Sequence, residues 1–92
     1  MSYTLVTPNA FLRQARKFFQ KHPELTPKFQ QVLQKLGADP FDPSLRLHAL
    51  GGALTGLHAV SLTYSFRLTL TLRITEKEIV LLDIGSHDEV YR

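Results

Sequence analysis

From Phe66 onward the chain alternates. Phe66, Leu68, Leu70, Leu72 and Ile74 are apolar, and Arg67, Thr69, Thr71 and Arg73 stand between them. Successive side chains of a strand point to opposite sides, so this run predicts a β-strand with one buried and one open face. Ile79 to Ile84 is more continuously apolar and predicts a strand in the interior of the sheet. Between the two, Thr75-Glu76-Lys77-Glu78 supplies a hairpin turn. Ahead of them Leu57 to Thr63 is β-prone, with a turn at Tyr64-Ser65, and Leu45 to Leu50 predicts a further short strand ended by Gly51-Gly52. In that short strand Arg46 and His48 share one side, opposite Leu45, Leu47 and Ala49.

The first half of the chain follows another period. Tyr3 to Val6 reads as a short strand. Phe11, Ala15, Phe18 and Phe19 then recur at i, i+4, i+7 and i+8, which places them on one face of a helix ending near His22-Pro23. Thr7-Pro8 supplies its start, a capping hydroxyl followed by a proline where a missing N–H costs nothing. Phe29, Val32, Leu33 and Leu36 repeat the spacing behind Thr26-Pro27, and Gly37 is placed for a left-handed stop. The stretch ADPFDPSL is a loop. The order is β-α-α-β-β-β, with one more strand if Leu45 to Leu50 forms. That is an α+β domain spanning residues 1–92, two N-terminal helices packed on a largely antiparallel four- to five-stranded sheet.

Charge adds a direction to this picture. The formal net charge is +3, but residues 1–38 carry Arg13, Arg16, Lys17, Lys21, Lys28 and Lys35 against Glu24 alone, a local balance of +5. Basic helices of this kind attract a polyanion, either nucleic acid or an acidic protein segment, although a solvated surface has the same composition. No run approaches the ~18 apolar residues of a membrane span, and the N-terminus lacks a signal pattern, so the expectation is a cytoplasmic protein with no membrane partner. The absence of cysteine excludes disulfides, thiol catalysis and thiolate metal sites. The histidines show no HxH or HExxH spacing, and neither a metal nor another cofactor is expected.

What remains is a set of proton-transfer and phosphate-binding groups. His48, Arg67 and the tail after Gly85, which carries His87 and Tyr91, would converge if the helices cover the apolar face of the Phe66 strand and if the Arg46–His48 side is also an open one, which the pattern alone leaves undecided. Two imidazoles with ordinary pKa values of about 6.5 can take and give a proton near neutral pH, and the guanidinium fork matches phosphate oxygens. Such a set suffices for RNA cleavage without a metal. A base takes the 2′-hydroxyl proton, a cation holds the phosphorane, and an acid protonates the leaving 5′-oxygen. Each residue also has an ordinary reading as a surface or hydrogen-bonded group. His22 reads as a helix-end residue that suits the dipole, and His58 is left without a role.

With these residues in view, the chain resembles the RelE/ParE toxin superfamily and, within it, the YafQ-like branch. The likeness spans nearly the whole length: the helix Phe11 to Phe19, Pro23-Glu24-Leu25, L-H-A-L-G-G-A-L-T-G at 47–56, R-L-T-L-T-L at 67–72, and L-L-D-I-G-S-H-D-E-V-Y at 81–91. The last is the most specific. The resemblance implies a RelE-like fold and the toxin of a type II toxin–antitoxin system, a ribosome-dependent endoribonuclease that cuts mRNA in the A site. His48, Arg67, His87 and Tyr91 fall on its catalytic positions. Arg13, Arg16, Lys17, Arg46 and Arg73 are the candidates for RNA contact on grounds of charge. It further implies a cognate antitoxin and a toxin–antitoxin hetero-oligomer. The alternative is a non-enzymatic relative, such as a ParE-like gyrase inhibitor or an inactive antitoxin-binding module. Two departures stand out. His58 and Val60 fall where the RelE branch has lysines, and Ser61 and Ser65 where YafQ-like members have His and Asp.

Overall fold

The computed structural model describes residues 2–86. Strand β1 (Thr4–Val6) leads into helix α1 (Asn9–Lys21) and helix α2 (Thr26–Ala38). Strands β2 (His48–Ala49), β3 (His58–Ser61), β4 (Phe66–Arg73) and β5 (Glu78–Ser86) follow. They form one sheet in the order β1-β5-β4-β3-β2, in which β1 runs parallel to β5 and every other neighbour is antiparallel. The expected α+β architecture is therefore present, with β5 in the interior as its apolar run requires.

The helices form for the reason that their spacing gives. α1 buries Phe11, Ala15 and Phe18, and α2 buries Val32 and Leu36. Both stripes close on Leu68, Leu70, Ile79, Leu81 and Ile84 of the sheet. At about 25 cal/mol per Å² of apolar surface, this continuous cluster is the main term opposing chain entropy. Gln14 on α1 also donates its side-chain N–H to the Ile84 carbonyl at 2.9 Å, which ties the helix to β5.

Element ends depart from the sequence reading in four places. Neither threonine acts as a cap: α1 follows Pro8 with no side-chain cap, and α2 continues directly from a 3-10 turn at Pro23–Leu25. Leu25 is already helical, so no extended capping residue intervenes. Gly37 does not stop α2 but lies inside it, and its carbonyl accepts the Tyr3 N–H at 2.6 Å. The stop comes at Asp39, which is extended because Pro40 follows it. Ile74 is not part of β4. It lies in the 74–77 turn, where Lys77 takes a positive φ of 54° and donates its N–H to the Ile74 carbonyl. Finally, the Leu45 to Leu50 strand shrinks to His48–Ala49, because Pro43–Leu45 is a 3-10 turn and Arg46 is left-handed.

Candidate functional site

The pairing register decides which side chains share the face away from the helices. Thr69 lies opposite Asp83, but Leu70 lies opposite Leu81, so Leu82 is an extra residue bulged out of β5. Were Leu82 a regular member of the strand, strict alternation would put Ile79, Leu81, Asp83 and Gly85 on one side. With the bulge, Ile84 returns to the core and Asp83 and Gly85 turn outward. Two outer-face rows result. One runs His48, Ala59, Thr69, Asp83, and the next runs Ser61, Arg67, Gly85.

His48 and Arg67 thus share the outer face; the parity of β4 predicts this for Arg67, and the pairing register supplies it for His48. They stand two strands and one row apart, a Cα separation of about 12 Å from ordinary strand spacings. The His48 Nδ1 donates to the Arg46 carbonyl at 3.0 Å, since a carbonyl can only accept. That contact leaves the lone pair of the neutral ring on Nε2, the atom a general base uses. Arg67 is half-buried and lies across the strand from Gly85, which is buried. Between the two, Ala59 and Thr69 are covered, and the Thr69 hydroxyl is buried without a hydrogen-bond partner among the described residues. His87 and Tyr91, the tail residues of the set, lie outside the described residues.

Other expected members of the site are dispersed. Arg46 does not share a strand face with His48. Its left-handed backbone (φ 54°, ψ 46°) takes it out of the strand. Arg73 sits at the far end of β4, six residues or about 20 Å from Arg67, and its guanidinium lies 3.9 Å from Glu78. Arg13, Arg16 and Lys17 are exposed on α1, in the layer on the opposite side of the sheet. The β3 positions set against the RelE lysines face the helix layer. Val60 is fully buried opposite Leu68, and His58 pairs with Ala49 and Leu70, so both belong to the helix side. The outer-face positions of β3 are Ala59 and Ser61, while Ser65 lies in the turn before β4.

Two concave features were not legible from the sequence. A groove of about 250 Å³ between α2 and the β3–β4 turn is lined by Lys28, Lys35, Ser44, Arg46, Thr63 and Tyr64, among others. Its lining comes from three separate stretches of chain, which no spacing rule connects. A smaller cleft of about 160 Å³ lies beside α1, with Lys17, Lys21, His22 and Phe66 in its wall. There the His22 ring packs 4.8 Å from both Phe18 and Phe66, so this histidine is an aromatic packing residue as well as the end of α1. Among the described residues no cluster of His, Asp or Glu could hold a metal ion.

Neither protein-family models nor curated proteins match this chain. Solved structures do. The Escherichia coli DinJ–YafQ toxin–antitoxin complex contains a chain that superposes with a TM-score of 0.78 at 15% identity, covering 100% of both chains. A metal-bound toxin from Helicobacter pylori gives a TM-score of 0.78 at 23% identity over 98% of this chain and 99% of that one. A YoeB/ParE toxin from Agrobacterium tumefaciens gives 0.71 at 16% identity over 91% and 98%. At such identities the likeness speaks for the backbone, and the element order, layers and sheet described above agree with it. The fold is that of the RelE/YafQ-like toxins.

Proposed function

We propose that this chain is the toxin of a type II toxin–antitoxin pair and cuts mRNA on the ribosome by metal-independent transesterification. The observation that carries the reading is the presence of His48 and Arg67 on one outer face of a sheet whose bulge turns Gly85, two residues before His87, to the same side. In this reading His48 Nε2 takes the 2′-hydroxyl proton, Arg67 holds the phosphorane charge, and His87 protonates the 5′-oxygen, with Tyr91 stacking on a base or orienting His87. The products carry 2′,3′-cyclic or 3′-phosphate ends and 5′-hydroxyls. Fold likeness to the toxin of the DinJ–YafQ complex supports an antitoxin partner for this chain as well. An antitoxin segment would suit the short edge strands and the basic helices.

The test is induction of the chain in cells followed by mapping of transcript ends. Codon-phased cuts with 5′-hydroxyl ends are expected. DNA-damage induction without cuts would contradict the reading and assign the fold to gyrase inhibition, and 5′-phosphate ends would contradict the chemistry.

A further inference from the structure

We propose that the groove between α2 and the β3–β4 turn binds the sugar-phosphate backbone of single-stranded RNA, with the Tyr64 ring taking one base. This deepens the reading of the chain as an RNA-directed toxin and rests on it. Lys28, Lys35 and Tyr64 are assigned no part in that reading so far.

The groove's chemistry is one-sided. Lys28 and Lys35 are two helical turns apart on the same side of α2, and Arg46 joins them from the loop before β2. No carboxylate lies among the described residues that line it. The neighbouring Asp42 accepts the Ser44 N–H at 2.9 Å and the Ser44 hydroxyl at 2.7 Å and sets one negative charge near Lys35, against the three cations of the groove. Ser44 and Thr63 add hydroxyls beside the cations, and Lys35 donates to the Ser44 oxygen at 3.0 Å. Arg46 reaches the groove through a left-handed backbone that side-chain-bearing residues seldom adopt.

Two observations favour a nucleic acid over an acidic protein segment. The apolar floor, Val32, Leu45 and Leu62, is at most 3% exposed and already belongs to the core, so no pocket is left for the apolar side chains of a protein helix. On the lip, Tyr64 is 100% exposed. An aromatic ring beside a run of cations is how single strands are held without regard to sequence.

Binding of the full chain to a fluorescent 2′-O-methyl uridine dodecamer, which cannot be cut, tests the groove when followed over a salt series. Uridine monophosphate and a glutamate peptide are run beside it. Lys28→Ala, Lys35→Ala and Arg46→Gly should each lower the slope of log affinity against log salt by about 0.7. Glycine takes the left-handed turn freely, so Arg46→Gly removes the guanidinium and keeps the backbone. Tyr64→Ala should weaken binding roughly 5- to 150-fold with the slope unchanged. The proposal is overturned if the dodecamer does not bind, if the cation variants leave its slope unaltered, or if the losses appear with the glutamate peptide alone. Monophosphate binding as tight as the dodecamer would likewise overturn it, leaving a site for one phosphate. The uncut dodecamer reads the groove and transcript ends read the cleavage, so either can fail without the other.

Discussion

The residues whose placement was hardest to read are those where local backbone geometry overrides strand parity. Arg46 is the clearest. Two-residue alternation paired it with His48, but alternation holds only in extended chain, and the 3-10 turn at Pro43–Leu45 ends in a left-handed residue instead. The signal for that turn was present in Asp42-Pro43-Ser44, where an acidic side chain can cap the N–H two residues on. Asp42 also has a testable consequence. The Ser44 hydroxyl, the Ser44 N–H and the nearby Lys35 charge together hold its carboxyl below the usual range, against a smaller opposing effect of burial. A carboxyl lowered on folding favours the folded state above its unfolded pKa, about 4, and loses that contribution as pH falls toward the lowered value. The stability difference between the wild type and Asp42→Asn should therefore be flat above about pH 5 and shrink below about pH 4. Chemical denaturation over a pH series measures it, and a difference constant through the acid range would contradict the cap.

Among the elements, the helices and β4 were legible because burial sets their periods, and a period is visible in one sequence. β5 was legible as an interior strand but not in its register. Ile79-Val80-Leu81-Leu82-Asp83-Ile84 contains no alternation from which an extra residue could be inferred, and only pairing with β4 exposes Leu82 as the insertion. The bulge matters because a one-residue slip exchanges the two faces of a strand. Deleting Leu82 should keep the register, because the shortened strand alternates strictly, with Ile79, Leu81 and Ile84 inward and Asp83 and Gly85 outward. The expected result is that cooperative thermal unfolding survives, read by far-ultraviolet circular dichroism. Loss of the transition would mean that Leu82 is not the inserted residue and that the register does not hold Gly85 outward. The stop of α2 differs from its reading for a related reason: Asp39-Pro40 ends the helix through a steric rule acting from outside it, while Gly37, the residue type expected to do so, remains helical.

Viewed whole, the molecule separates three charged surfaces that the sequence merged. The α1 cations face solvent on the helix layer, whereas His48 and Arg67 occupy the opposite side of the sheet, and the Lys28, Lys35 and Arg46 groove opens at the β3–β4 end. A single phosphate cannot touch all three, but a long RNA or a ribosomal surface can. Charge composition predicted the existence of a basic face, since composition survives folding. It could not predict the division, because that depends on which layer each element joins. The division also separates the two arginines of β4, one opposite Gly85 and one beside Glu78.

Those two arginines offer the most direct measurement: the rate of mRNA cutting on programmed ribosomes by Arg67→Ala and Arg73→Ala beside the wild type, with folding of each confirmed. Arg67→Ala should lose on the order of 10²–10³ in rate, the scale of removing one group that stabilises transition-state charge, while Arg73→Ala stays within a few-fold. Equal and small losses from both, in chains that still cut, would contradict a catalytic centre on the outer face at Arg67.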